Sequence, residues 1–303
     1  MQVVKKDTAY IRQILERHHL SDKGLVKADA GFRNTVWLTD TAAVKIYGKD
    51  CAAGAAIEKW IYRDVRPSYA PELLGEGDDY ICIRRIHGNS LFHQWYQVDE
   101  AARREYIRQT GAIIRQLGSL TFPTPNCFRV PVDWKMEQLA RLDTLLDRLA
   151  DIPDSIPADL AEAARNYITD NSSVLNDAEL VPVYSDLHFD NLLADESGKL
   201  WLIDYEMMEA APREYLLDVW HRMLVHPFTY ASEEDHAYTK PEDYGKITVW
   251  LREEVPELFA HPNLQKRINI YSLLYELELL TEYPGAQWPI QRIRHWLTED
   301  VPV

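Results

Sequence analysis

The segment Tyr184-Ser185-Asp186-Leu187-His188-Phe189-Asp190-Asn191 places a carboxylate at Asp186 and an amide oxygen five positions later at Asn191. Ile203-Asp204-Tyr205-Glu206 adds a second carboxylate, Asp204, eighteen positions after the first. Phosphoryl transfer needs such a set: one carboxylate to orient an attacking hydroxyl and take its proton, and hard oxygen ligands to hold Mg²⁺ against the phosphates. The apolar run ending at Ile203 would fix Asp204 at the tip of a strand. Asp and Asn also favour turns and helix caps, so the spacing from Asp186 to Asn191 by itself also fits an acidic loop.

Upstream residues favour the chemical reading. Lys45 sits inside the apolar pattern Ala43-Val44-Lys45-Ile46-Tyr47, a costly place for an ammonium that meets no anion, and Glu58 follows thirteen residues later. A Lys that contacts phosphate and is held by a Glu is one solution; a Lys on the wet face of an edge strand is the other. His188 lies two residues from Asp186, where both side chains point the same way in an extended segment. By position alone it could be a second base or a brace for the loop.

Elements must position these groups. Tyr10 to Glu16 has helical spacing, and Val36–Thr39 with Ala43–Tyr47 around Asp40-Thr41 predicts a hairpin. Residues 52–65 predict a helix carrying Glu58 and ending at Arg66-Pro67. Leu73–Glu76 and Tyr80–Ile83 predict two more strands around the turn Gly77-Asp78-Asp79. Helical periodicity then dominates residues 99–118 and the stripe Leu139, Leu142, Leu145, Leu146, Leu149, a strand-like island interrupts it at 181–204, and helices resume. Ser232 to Tyr244 is polar and predicts a surface loop. The expected architecture is α+β and bilobal, with a small β-rich lobe at 1–87 and a larger, mostly helical lobe at 88–303.

With 303 residues and 46% hydrophobic side chains, the chain can build a sizeable core. Its formal charge of −15 opposes binding to nucleic acid. Residues 1–87 hold 14 basic and 12 acidic side chains, against 19 and 36 in 88–303, so the lobes carry +2 and −17. Solubility explains that acidity, as does attraction of a cationic substrate. Cys51, Cys82 and Cys127 are too few for a disulfide framework and lack metal spacing. No apolar run has the length of a membrane span or signal peptide, so a reduced cytoplasmic protein without a membrane partner is expected.

The order Lys45, Glu58, Tyr184-x-Asp186-x4-Asn191 and Leu-Ile-Asp204-Tyr-Glu resembles the aminoglycoside phosphotransferase and choline kinase family, whose fold is similar to that of protein kinases. The resemblance runs from Gly31-Phe32-Arg33-Asn34-Thr35 to about Trp220. It implies ATP or GTP and Mg²⁺, with Asp186 as catalytic base, Asn191 and Asp204 as metal ligands, Lys45 on the α/β-phosphates and Glu58 as its orienter. It further implies adenine against the carbonyl of Arg84 and the amide of Ile86, a phosphate-covering loop with Asn34 and Thr35, and a structural role for Asp218. The chain departs from the related patterns at Tyr184, which replaces a His and is expected to brace the loop by ring and hydroxyl, in having Gly31 as the only glycine of residues 25–47 where protein kinases use a glycine-rich cradle, and at Asp190, which replaces a Gly.

The acceptor implied is a small hydroxylated molecule lying between the catalytic loop and the late helices. Tyr271, Tyr275, Glu278 and Glu282 share one face of a late helix at spacings of three or four, and could hold an amino sugar or a quaternary ammonium; that face could equally be solvated. Asp190 and Glu206 are further acceptor-side candidates. An aminoglycoside-like antibiotic or amino sugar is the expected substrate. Choline, another sugar or an amino-acid alcohol is the alternative, as is a catalytically silent nucleotide-binding module.

Overall fold

The computed structural model describes residues 7–28, 34–49, 51–122, 129–176, 178–230 and 233–298. Gly31, Phe32 and Arg33, where the family resemblance begins, Cys127, and Ser232 at the start of the expected surface loop lie outside the described residues. Asp7 caps helix α1 (Thr8–Arg17) by accepting from the amides of Ala9 and Tyr10. Its buried stripe of Ile11, Ile14 and Leu15 packs on Val44, Ile46, Tyr80 and Cys82.

Those residues belong to a five-stranded antiparallel sheet in the order β1-β2-β3-β5-β4. The strands are β1 (Val26–Lys27), β2 (Thr35–Leu38), β3 (Ala42–Ile46), β4 (Leu73–Glu76) and β5 (Tyr80–Arg84). β3 is the middle strand, which removes the edge-strand reading of Lys45. Since side chains alternate across a strand, Val44 and Ile46 face α1 and Lys45 faces away from it.

Between β3 and β4 comes α2 (Ala52–Trp60), shorter than expected because Ile61–Val65 widens into a π-type turn. Arg66 ends it at a φ of 50°, just before Pro67. Beyond Arg84 the chain leaves the sheet: β6 (Gly88–Ser90) pairs instead with β8 (Leu192–Asp195), which pairs with β9 (Leu200–Leu202). β7 (Leu180–Tyr184) and β10 (Met208–Pro212) form their own antiparallel pair, with Tyr184 opposite Met208.

The remaining chain is helical: α3 (Leu91–Trp95), α4 (Glu100–Gly118), α5 (Trp134–Ala150), α6 (Ala158–Asn171), α7 (Leu216–Val225), α8 (Pro227–Tyr230), α9 (Ile247–Glu254), α10 (Leu264–Glu282) and α11 (Gln287–Thr298). α10 is buried on nearly all sides, with Ile268, Ile270, Leu273, Leu274, Leu277 and Leu280 fully enclosed. Two of its polar residues are matched inside the core, Arg267 with Glu214 and Ser272 with Asp218. No helix among the described residues is long and apolar enough to cross a membrane.

Residues 233–244 are exposed along most of their length, as a polar surface loop should be, and are anchored at Asp235, Asp243 and Tyr244. Asp235 is buried against His93 at 2.7 Å, Asp243 pairs with Arg103 at 3.0 Å and accepts at its carbonyl from the Trp95 indole. Tyr244 is buried in an aromatic cluster with Phe92, Trp95 and Phe189. Specific polar partners seat this segment on α3, and composition does not reveal them.

Burial in the α7–α11 region holds His221 and His226 down at about 4, against an ordinary 6.5. Between those limits the unfolded chain takes protons that the folded chain refuses, so stability from this source is complete above pH 6.5 and falls as pH drops toward 4. Glu276 on α10, pushed up to about 7 by burial, works in the opposite direction. His221→Phe is expected to flatten the acid limb by about 2 kcal/mol relative to the parent chain, read from urea unfolding at pH 6.5 and 4.5. Parallel curves for the two proteins would refute this assignment.

Candidate active site

Lys45 reaches the face of the sheet that α2 covers and is 8% exposed. Its ammonium meets Glu58 at 2.7 Å, Asp204 at 2.8 Å and Glu206 at 2.6 Å. Burial works against its charge, but the three carboxylates outweigh that and raise its pKa. Glu58, 1% exposed, also accepts from the Tyr47 hydroxyl and the Tyr205 amide; burial raises its pKa and Lys45 pulls it back. The helix carrying Glu58 is thereby bonded to the turn that follows Asp204.

That turn packs tightly under α2. A Cβ on Gly54 would stand 2.9 Å from the Glu206 Cβ, so glycine permits the approach. Glu206 bridges Lys45 and the Asn34 amide, whose oxygen accepts from the Gly48 N–H. Glu206 therefore belongs to the Lys45 cluster and not to the acceptor side where the sequence reading put it. Asn34 is spent on these contacts rather than aimed over phosphates, and Thr35 pairs with Ile46 at the start of β2. Oxygens of Glu58, Asp204 and Glu206 lie within 4.8 Å of one another, a donor set suited to a hard cation.

Asp186 follows the end of β7. Ser185 is pinned by its amide and hydroxyl to the Met207 carbonyl, and the Asn191 amide donates to the Asp186 carbonyl at 2.9 Å. The same amide donates to the Tyr184 hydroxyl at 2.8 Å, and that hydroxyl donates to the Asp204 carbonyl. One phenol thus joins Asn191 to Asp204, and the Asn191 amide carries the link on to Asp186. With its nitrogen used in this way, Asn191 has its side-chain oxygen left for a cation. Asp204 itself has a φ of 61°, a left-handed conformation that Asp tolerates better than most residues.

His188 accepts from the Asp190 amide and lies 3.7 Å from the Asp186 carboxylate. Burial disfavours its charged form, but Asp186, Asp190 and Asp204 outweigh that and raise its pKa. Asp190 turns toward Ser90 and His188, with burial raising its pKa, and is absent from the cleft beside Asp186, contrary to the acceptor-side expectation. Arg84 ends β5 exposed, paired with Glu72, and half-buried Ile86 follows it in the connection to β6.

A cleft of about 540 Å³ opens beside Asp186, between the loop that follows β7, α5, α7 and α10. Tyr275, Glu278 and Glu282 line it, but Tyr271 does not. Tyr271 is 1% exposed, accepts from the Trp134 indole at 3.1 Å and packs edge-on against Tyr215. Helical spacing placed four residues on one face; burial of α10 on nearly every side takes the first into the core. Asp218, at the cleft wall, accepts from Ser272 at 2.6 Å, within the buried scaffold.

Residues 25–243 match the phosphotransferase enzyme family, APH. The chain belongs to this family. Solved structures that resemble it include the streptomycin-ATP-APH(2″)-IIa ternary complex, at 14% identity and a TM-score of 0.72, covering 98% of each chain. A thermostable mutant of aminoglycoside phosphotransferase APH(4)-Ia with ADP and hygromycin B is 14% identical, with a TM-score of 0.70 over 98% of this chain and 100% of that one. A choline/ethanolamine kinase family protein from Mesorhizobium loti is 17% identical, with a TM-score of 0.61 over 91% and 88%. These likenesses show the protein-kinase-like fold. No curated protein sequence matches the chain.

In this phosphotransferase the cleft also contains groups that sequence reasoning passed over: Arg129, Arg141, Arg222 and Glu209. Arg222 could have been found as the i,i+4 partner of Asp218, whereas Arg141 hides in the leucine stripe of α5. Because the Tyr184 hydroxyl joins Asn191 to Asp204, Tyr184→Phe is expected to lower kcat by about 10- to 100-fold. Tyr184→His, which restores a polar ring, should recover part of that loss in the same turnover assay. Equal kcat in parent and Tyr184→Phe would remove the bracing role.

Proposed function

We propose that the chain moves the γ-phosphoryl group of ATP or GTP to a hydroxyl of a small polar molecule. The observation that carries this reading is the position of Asp186, on the wall of a substrate-sized cleft and bonded through Asn191 and Tyr184 to the Lys45 and Asp204 cluster. In this reading the acceptor hydroxyl gives its proton to the Asp186 carboxylate. Its oxygen forms a bond to the γ-phosphorus, the bond to the β–γ bridging oxygen breaks, and that electron pair leaves with the nucleoside diphosphate.

Lys45, held by Glu58, would face the α/β-phosphates, and the Arg84 carbonyl and Ile86 amide would meet the base at a hinge between lobes 1–87 and 88–303. Asn191 and Asp204, with Glu206 beside them, would hold Mg²⁺, which when bound neutralises charge on the phosphate oxygens. Similar structures hold streptomycin, gentamicin or hygromycin B, which supports an amino-sugar alcohol as acceptor. Asp186→Asn is expected to cut kcat by about 10²- to 10⁴-fold while nucleotide affinity, read by calorimetry, changes little. Full turnover in that variant would sink the mechanism.

A further inference from the structure

We infer that the acceptor carries an anionic group, a carboxylate or a phosphate, beside the hydroxyl that reacts, and that Arg141 binds it; this rests on the phosphotransferase reading of the same cleft. Three of the six carboxylates that line the cleft, and the ring face of Tyr275, are already matched by the chain's own arginines. Glu278 is paired with Arg141, Asp218 with Arg222 at 3.3 Å, and Glu137 with Arg129 through two bonds of 2.7 Å. The face of Tyr275, where an ammonium could stack, is covered by the Arg222 guanidinium 3.3 Å from the ring centre. A polyamine would have to displace these arginines and leave each guanidinium without its carboxylate.

For an anion, what matters is which of the three paired arginines keeps donors toward the cleft. Arg129 is at the exposed rim with both terminal nitrogens on Glu137, and Arg222 is 5% exposed beneath Tyr275. Arg141 is intermediate: its side chain is 28% exposed, and it donates from one terminal nitrogen to the Tyr215 hydroxyl and from the other to Glu278. A guanidinium has five N–H donors in a planar fork, so these contacts leave donors for a carboxylate or phosphate. Amines on the acceptor retain Glu209 and Glu282 as facing carboxylates in the same cleft.

Matched acceptors test this: glucosamine against glucosamine 6-phosphate, glucose against glucuronate, ethanolamine against serine, and kanamycin as the polycation. Phosphate transfer from Mg-ATP gives kcat and KM, and calorimetry gives Kd without turnover. The anionic member of at least one pair should be preferred tenfold or more, and the pair showing it tells phosphate from carboxylate. Arg141→Gln should raise KM for that acceptor tenfold or more, with kcat and the uncharged partner little changed. Glu278→Gln, which releases Arg141, should lower the same KM several-fold, so the proposal does not depend on one variant folding.

Preference for kanamycin or for the uncharged members, no binding of any anionic member, or a preference that survives Arg141→Gln overturns the inference and leaves the kinase reading intact. Anion binding that depends on Arg141 without phosphate transfer to any acceptor sinks the kinase reading and upholds the anion site.

Discussion

An ammonium taken from water into a protein interior must be matched, and Lys45 is matched by carboxylates drawn from two distant stretches of chain. Glu58 comes from the helix that follows the central strand; Asp204 and Glu206 come from a turn almost 160 residues later. Each contact fixes an element: Glu58 also holds the Tyr205 amide, and Glu206 also holds Asn34 at the start of β2. The two halves of the molecule therefore meet at one charge cluster. Removing the lysine would leave like charges crowded together, and removing one carboxylate would leave the others to hold it.

Much of this was legible in the sequence. A lysine inside an apolar strand pattern, a glutamate on the following helix, and Asp186, Asn191 and Asp204 around short strands all have types and spacings that chemistry constrains. The protein-kinase-like arrangement followed from those same residues together with the family resemblance. What stayed hidden depended on direction in space. The left-handed turn at Asp204 swings Glu206 toward Lys45, and nothing in the letters Asp-Tyr-Glu specifies that turn. Tyr271 shares helical spacing with Tyr275, yet spacing cannot tell a wetted face from an enclosed one on a helix buried on nearly every side. The segment ending at Tyr244 is the exposed loop its polarity suggests, but the partners that anchor it, His93 and Arg103, lie about 140 positions away.

Charge shows the same limit. The excess acidity of residues 88–303 is a property of the whole lobe, whereas recognition depends on what faces the cleft. There, three arginines stand against three of the carboxylates, and an aromatic face is already taken. A net charge describes a distant field and says little about a contact.

The backbone at Asp204 carries one more consequence. Glycine and asparagine would relax its left-handed conformation but bring no carboxylate, while glutamate would keep the acid and fit the backbone less well. Chemistry and conformation each allow a short set of residues there, and the two sets overlap at aspartate. A change at position 204 therefore gives up either an easy fit to the backbone or the carboxylate that meets Lys45.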